Sequence, residues 1–269
     1  MINIDLNQKK LFLLDMDGTL FIDDILFEHT ADFLNQVKKN GARYQVITNN
    51  SSNSVSVYVE KFNRMGLPAC ADDFFTATQA TCVYLKEHYH GNKIYAAGTR
   101  AFVQELRENG FPVTDRLEDG IDCLLMGYDT ELTFQKISDA CRLLNDDIMY
   151  LGTDPDWLCP TSFGFVPDCG SVCEMIWRAT GKRPFFIGKP RPAIAQLAMK
   201  KVGCTEKETV LIGDLLVTDI ACGINAGIDT VLLFSGETTK EIYANSDIRP
   251  TCTAENIGEV YQYMVDHQS

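Results

Sequence analysis

Two aspartates stand two positions apart directly after a short apolar run, and they are the strongest chemical signal in the chain. The apolar run covers residues 11–14, and Asp15 and Asp17 follow it within Asp-Met-Asp-Gly-Thr. Such a pair suits a hard cation, and one carboxylate can also act as nucleophile or as acid and base beside it. An acidic turn without chemistry is the simpler interpretation of these five residues alone.

A second polar cluster follows another predicted strand at residues 44–48. Its members are Thr48, Asn49 and Asn50, and a predicted helix begins shortly after them. Hydroxyl, amide and backbone N–H groups at the start of a helix can hold phosphate oxygens. The simpler role for Thr48 is a helix N-cap, which is compatible with phosphate binding.

One lysine and two aspartates follow two later predicted strands. Lys189 comes after the strand at residues 185–187, and Asp214 and Asp219 come after the strand at residues 209–212. Alone, Lys189 would be a solvated surface residue, and Asp219 either a helix-start carboxylate or a residue that supports a metal site from behind its ligands. Combined with the earlier clusters, they supply carboxylates for Mg²⁺ and a positive charge that could neutralise a phosphoryl group.

The elements that must position these residues alternate between strand and helix. Apolar runs without polar alternation indicate parallel strands covered on both faces, and ligands bind at the carboxyl ends of such strands. The sequence therefore predicts an α/β fold with a doubly wound parallel sheet. A second α/β series lies within residues 78–181 and has no comparable carboxylate cluster. Residues 21–27 are predicted to form a flap or hairpin, and residues 153–170 a long loop.

Composition narrows the functional classes. The net charge is −13, which argues against nucleic acid or an anionic membrane as a partner, because both need a basic face. No apolar segment has the pattern of a secretory signal or the length of a membrane span. The ten cysteines contain no C-x-x-C pair, which favours free thiols in a reducing compartment. We therefore expect a cytoplasmic protein.

The four polar clusters, in this order and each after a strand, resemble the motifs of the haloacid dehalogenase (HAD) superfamily of aspartate-nucleophile phosphatases. The position of the second α/β series, between the second and third motifs, resembles the NagD-like and p-nitrophenyl-phosphatase-like subfamily, type IIA with a C2 cap. Gly188-Lys189-Pro190-Arg191-Pro192 and Thr153-Asp154-Pro155-Asp156 add to that resemblance. It covers essentially the whole chain and implies a Rossmann-like HAD core with an inserted α/β cap domain.

The resemblance also implies a reaction. Asp15 would attack phosphorus and form an aspartyl-phosphate. Asp17 would protonate the leaving oxygen and then activate the water that hydrolyses the intermediate. Mg²⁺ would be bound by the Asp15 carboxylate, the Asp17 main-chain carbonyl and the Asp214 carboxylate.

The remaining residues of the motifs receive supporting roles by the same resemblance. Thr48, Asn49 and Asn50 would hold the phosphoryl group, and Lys189 would neutralise Asp15 and the phosphate. Asp219 would support Lys189 or a water on the metal. Three positions depart from the family pattern: Leu215 and Val217 are often polar in relatives, and Asp154 is often Asn.

The implied organisation is a catalytic core of residues 1–77 and 182–269 and a substrate-selecting cap of residues 78–181. The expected partner is a small phosphorylated metabolite, and caps of this type can also mediate homo-oligomers. Sugar phosphates, nucleotides, glycerol phosphates and pyridoxal phosphate all stay open as substrates. Two other functions stay open as well: phosphotransfer, as in a phosphomutase of the same superfamily, and non-catalytic binding of a phosphometabolite.

Overall fold

The computed structural model describes residues 2–22, 25–161 and 163–267. These residues form two compact units. The first takes the described residues within Met1–Thr48, Ser56–Phe75 and Lys189–Ser269, and the second those within Asn49–Val55 and Thr76–Gly188. The assignment of residues 78–181 as a substrate-selecting cap stays a prediction.

The described residues contain both strands and helices throughout. The strands are β1 (Leu11–Leu14), β2 (Phe21–Ile22), β3 (Ile25–Leu26), β4 (Arg43–Thr48), β5 (Phe74–Thr76), β6 (Ile94–Ala97), β7 (Val113–Thr114), β8 (Cys123–Met126), β9 (Met149–Gly152), β10 (Leu158–Thr161), β11 (Gly164–Pro167), β12 (Phe185–Phe186), β13 (Thr209–Gly213), β14 (Asp229–Leu233) and β15 (Cys252–Ala254). The α-helices are α1 (Thr30–Lys39), α2 (Val55–Arg64), α3 (Ala77–His88), α4 (Arg100–Glu108), α5 (Phe134–Leu143), α6 (Cys169–Thr180), α7 (Ala193–Val202), α8 (Ala221–Ala226), α9 (Lys240–Ala244) and α10 (Ile257–Asp266).

The first unit is built on a six-stranded sheet with the order β15-β14-β13-β1-β4-β5. Strand β1 lies between β13 and β4 and is parallel to both. All four residues of β1 are buried, as expected for a strand that is covered on both faces. Because the strands run in the same direction, the residues that follow β13, β1 and β4 emerge at one edge of the sheet.

The second unit has its own five-stranded sheet, with the order β12-β9-β8-β6-β7. Alternate residues of its strands pack on opposite sides. Tyr95 and Leu124 belong to a cluster with α5 and α6, whereas Ile94 and Cys123 belong to a cluster with α3 and α4. Both units are therefore parallel sheets flanked by helices, which confirms the predicted α/β class.

Two predicted segments differ in detail from the structure. The stretch predicted as a loop at residues 153–170 contains an antiparallel hairpin, β10–β11. Glycine and proline in this stretch masked the short strand pattern. The hairpin predicted at residues 21–27 is present as the antiparallel pair β2–β3, while Asp23 and Asp24 lie outside the described residues.

Two further expectations concern the chain as a whole. Among the described residues, none of the helices is both long and apolar enough to span a membrane. No disulfide links any of the cysteines in the described part of the chain.

Candidate active site

The first unit brings four of the predicted site residues together. Asp15 follows β1 directly, Asp214 follows β13 directly, and Asp219 lies in a π-helical turn at Leu216–Ile220. Carboxylate oxygens of these three aspartates lie within 4.8 Å of one another. Lys189 reaches the same place, so the cluster combines three carboxylates with one ammonium group.

Lys189 joins two of these aspartates through short contacts. Its Nζ lies 2.5 Å from Asp15 Oδ1 and 2.7 Å from Asp219 Oδ1, and it also donates to the Ile47 carbonyl at 3.3 Å. The residue is only 3% exposed. Burial alone would lower the pKa of Lys189, but the Asp15 and Asp219 carboxylates outweigh burial and raise it. Lys189 is therefore a fixed positive charge.

Asp15 and Asp214 hold protons more tightly than ordinary aspartates. Burial raises the pKa of Asp15 well above its usual value; Lys189 opposes this increase, and the charges of Asp219 and Asp214 add to it. Burial, followed by the charge of Asp219, raises the pKa of Asp214 to about 7. Three carboxylates facing one ammonium thus leave excess negative charge, which a divalent cation would neutralise.

Asp214 is held by the backbone and by one hydroxyl. Its Oδ2 accepts the Glu237 N–H at 2.8 Å, and its Oδ1 accepts the Thr19 hydroxyl at 3.3 Å. Gly18 has φ +80°, and a Cβ there would lie 2.5 Å from Asp214 Oδ2. Glycine at this position therefore permits both the left-handed turn after Asp17 and the close approach of the Asp214 carboxylate.

The side chain of Asp17 differs from the other three aspartates in being 60% exposed. Its Oδ1 lies 4.0 Å from Lys61 Nζ, and the Lys61 ammonium stands 4.3 Å from the centre of the Phe21 ring. The position of Lys61 could not be predicted from the sequence, because it lies on α2 outside any motif and nothing in the local pattern distinguishes it from a surface lysine.

The second predicted motif is divided between the two units. Thr48 is the last residue of β4 and is buried. Asn49 and Asn50 belong to the second unit, where Asn49 Nδ2 donates to Asp156 Oδ2 at 2.8 Å. Asn50 Oδ1 accepts from the Ser52 N–H at 3.0 Å and from the Ser52 hydroxyl at 2.7 Å. Asp156 is a second residue whose contact has no signal in the sequence.

Known proteins match this chain along most of its length. A family model described as haloacid dehalogenase-like hydrolase matches residues 12–112, and one described as HAD-hydrolase-like matches residues 186–260. The chain is 30% identical over 255 residues to 5'-nucleotidase YutF of Bacillus subtilis, covering 95% of this chain and 98% of that protein. The chain is a haloacid dehalogenase-like hydrolase.

Solved structures place this hydrolase in a narrower group. The 4-nitrophenylphosphatase of Thermotoga maritima matches it with a TM-score of 0.91 and 32% identity, over 97% of this chain and 100% of that one. NagD from E. coli matches with a TM-score of 0.86 and 29% identity, over 93% and 98% of the two chains. An acid sugar phosphatase of Staphylococcus saprophyticus is 30% identical over 251 residues, covering 93% of this hydrolase and 96% of that protein. These matches confirm the predicted NagD-like group and the predicted enzyme class, a HAD-type phosphoric monoester hydrolase.

Proposed function

We propose that this hydrolase is a Mg²⁺-dependent phosphatase that acts on small phosphomonoesters through an aspartyl-phosphate at Asp15. The observation that carries the proposal is the contact of 2.5 Å between Lys189 Nζ and Asp15 Oδ1, within a cluster that also holds Asp214 and Asp219. A carboxylate that attacks a phosphate dianion must overcome charge repulsion. A fixed cation at the nucleophile reduces that repulsion.

The proposed reaction has two steps. In the first, an Asp15 oxygen attacks phosphorus, the bond from phosphorus to the leaving oxygen breaks, and Asp17 gives its proton to that oxygen. In the second, Asp17 takes a proton from water, the water oxygen attacks phosphorus, and the bond from phosphorus to Asp15 breaks. The exposed carboxylate of Asp17 suits a group that must meet both the substrate and water.

The carboxylate cluster fits the predicted metal. Mg²⁺ prefers oxygen ligands, and the cluster offers only oxygen donors from Asp15, Asp214 and Asp219. We propose that the Asp15 and Asp214 carboxylates and the Asp17 main-chain carbonyl hold Mg²⁺. The ion would neutralise charge on the phosphoryl oxygens.

The remaining motif residues have supporting roles in this proposal. Asp219 accepts from Lys189 through Oδ1 and from the Leu215 N–H through Oδ2, so we assign it to positioning Lys189. Thr48, Asn49 and Asn50 are proposed to hold the phosphoryl group.

The proposed substrates are small phosphorylated metabolites. Relatives of this hydrolase are named as a 5'-nucleotidase and as acid sugar phosphatases, so nucleoside monophosphates and sugar phosphates are the first classes to test. We propose that residues 78–181 select among them. A cytoplasmic location and a homo-oligomer formed through this region stay predictions.

The test is hydrolysis of p-nitrophenyl phosphate with Mg²⁺ and with excess chelator, for the wild type and for Asp15→Asn. We expect metal-dependent turnover by the wild type and none by the variant, with unchanged circular dichroism. Turnover that is independent of metal, or full activity of Asp15→Asn, would refute the proposal. A panel of nucleoside monophosphates and sugar phosphates then identifies the substrate class.

A further inference from the structure

A buried chain of hydrogen bonds in the second unit holds the segment that follows Thr48. Ser51 Oγ accepts the Tyr128 N–H at 2.8 Å and lies 3.0 Å from Thr153 Oγ1. Thr153 Oγ1 donates to Asp154 Oδ2 at 2.9 Å. Because Thr153 gives its only hydroxyl proton to Asp154, Ser51 must donate to Thr153. Each hydrogen bond of this series is therefore donated in the direction from Tyr128 to Asp154.

A second contact reaches the same segment from the same loop. Asn49 Nδ2 donates to Asp156 Oδ2 at 2.8 Å, and the Asp156 N–H donates to Asp154 Oδ1 at 3.2 Å. The loop after β9 therefore contacts Asn49 directly and Ser51 through Thr153. These contacts lie on either side of Asn50.

Packing fixes the other side of the Asn49 amide. A Cβ on Gly188 would lie 2.5 Å from Asn49 Oδ1 and 2.6 Å from the Thr153 carbonyl oxygen. The Gly188 N–H donates to that same carbonyl at 2.7 Å. The amide of Asn49 is thus held at its nitrogen by Asp156 and packed at its oxygen against Gly188.

We propose that Asp156, together with the Thr153–Asp154 pair, positions the phosphate-binding segment by fixing the orientation of Asn49 and the path of the chain through Ser51. This inference rests on the proposed function, in which Asn49 binds the phosphoryl group. These residues are positioning residues, because they act on the substrate through Asn49.

Asp154 lies in a buried and acidic environment. It is completely buried, and the acidic groups that face it are Asp168, Asp156 and the Cys169 thiol. Burial raises the pKa of Asp154 well above its usual value, the three neighbours raise it further, and the hydrogen bond from Thr153 opposes the increase. Asparagine has the same shape and keeps one acceptor oxygen, so Asp154→Asn is the matched conservative variant and Asp154→Leu the disruptive one.

The test measures KM and kcat for p-nitrophenyl phosphate and the competitive inhibition constant of inorganic phosphate. Asp156→Ala removes a charge-assisted hydrogen bond to Asn49. We expect about a tenfold rise in both KM and the inhibition constant, with a smaller change in kcat. Asp156→Asn keeps an oxygen acceptor and should raise both constants only about threefold. The control is Asp147→Asn, at an exposed aspartate of the same unit, which should match the wild type.

The outcomes separate this inference from the proposed function. Wild-type activity together with unchanged KM and phosphate inhibition in Asp156→Ala overturns the positioning role alone. Absence of Mg²⁺-dependent turnover in the wild type overturns the proposed function, and the inference falls with it. If Asp156→Ala does not fold, Asp156→Asn and Ser51→Ala decide the question, and wild-type constants in both overturn the inference. A second pair of variants tests the contribution of Asp154. Asp154→Asn should retain the phosphate affinity that Asp154→Leu loses.

Discussion

Replacing Lys189 by methionine removes the ammonium group that joins Asp15 and Asp219 while preserving an unbranched side chain of similar length. The two contacts are 2.5 and 2.7 Å long, and Lys189 is 3% exposed. Breaking a buried ion pair by removing one partner costs about 3–5 kcal/mol, because the remaining charge is left buried without compensation. Here two carboxylates lose their partner, so we expect the free energy of unfolding to fall by at least about 3 kcal/mol at pH 8 in the absence of metal.

The pH dependence of this destabilisation tests whether its cause is electrostatic. Burial raises the pKa of Asp15 well above its usual value even with Lys189 in place, and removing the ammonium would raise that pKa further. A carboxyl whose pKa is raised by folding gives its full stabilisation below its unfolded pKa, and loses it as the pH rises through its folded pKa. The destabilisation of Lys189→Met should therefore be smaller at pH 5 than at pH 8, since protons replace the missing positive charge.

The assay is guanidinium unfolding followed by circular dichroism, with chelator present, at both pH values. Lys39→Met is the control, because Lys39 is an exposed lysine near the end of α1 in the same unit. If Lys189→Met lowers the free energy of unfolding by less than about 1 kcal/mol at pH 8, or equally at pH 5 and pH 8, the electrostatic account of the cluster is refuted.

Three further predictions concern the same cluster. Mg²⁺ at a hundredfold excess over its dissociation constant should stabilise the wild type by about 2.7 kcal/mol in thermal or guanidinium unfolding, and no shift would argue against a metal site at Asp15 and Asp214. Gly18→Ala should lower the free energy of unfolding by more than about 1 kcal/mol and weaken Mg²⁺ binding in a calorimetric titration, because φ is +80° and the new Cβ would meet Asp214. A wild-type free energy of unfolding together with wild-type Mg²⁺ affinity would contradict this prediction. Asp219→Asn removes a charge that raises the pKa of both Asp15 and Asp214. The pH below which Mg²⁺ affinity falls should therefore be lower in this variant than in the wild type, and a higher pH would contradict the electrostatic argument.

The parts of the fold that the sequence predicted are those with a local signature. Strand β1 and residues 210–212 of β13 are continuous apolar runs, because both faces of a central parallel strand are covered, and each strand ends directly before an aspartate. Together with the predicted parallel sheet, that pattern predicts Asp15 and Asp214 at one edge of the sheet. Lys189 follows from the motif resemblance and from its position beyond a short strand.

The parts that could not be predicted depend on contacts between distant residues. Nothing in the sequence near Asn49 indicates that its amide meets Asp156, which is 107 positions away. The Ser51–Thr153 hydrogen bond joins residues 102 positions apart, and no local sequence pattern indicates it either. Lys61 lies in the regular pattern of a helix, so its approach to Asp17 becomes visible only in three dimensions.

The central claim is that Asp15 becomes phosphorylated during turnover, and trapping the acyl-phosphate tests it directly. Asp17→Asn should slow hydrolysis of the intermediate more than its formation from p-nitrophenyl phosphate, whose leaving group needs little protonation. Acid quenching followed by borohydride reduction would convert a phosphorylated aspartate into homoserine, which peptide mass spectrometry locates. We predict homoserine at Asp15 in Asp17→Asn treated with substrate and Mg²⁺, and none without substrate or in Asp15→Asn. Homoserine at another carboxylate, or its absence from Asp15 while substrate is consumed, would contradict the mechanism.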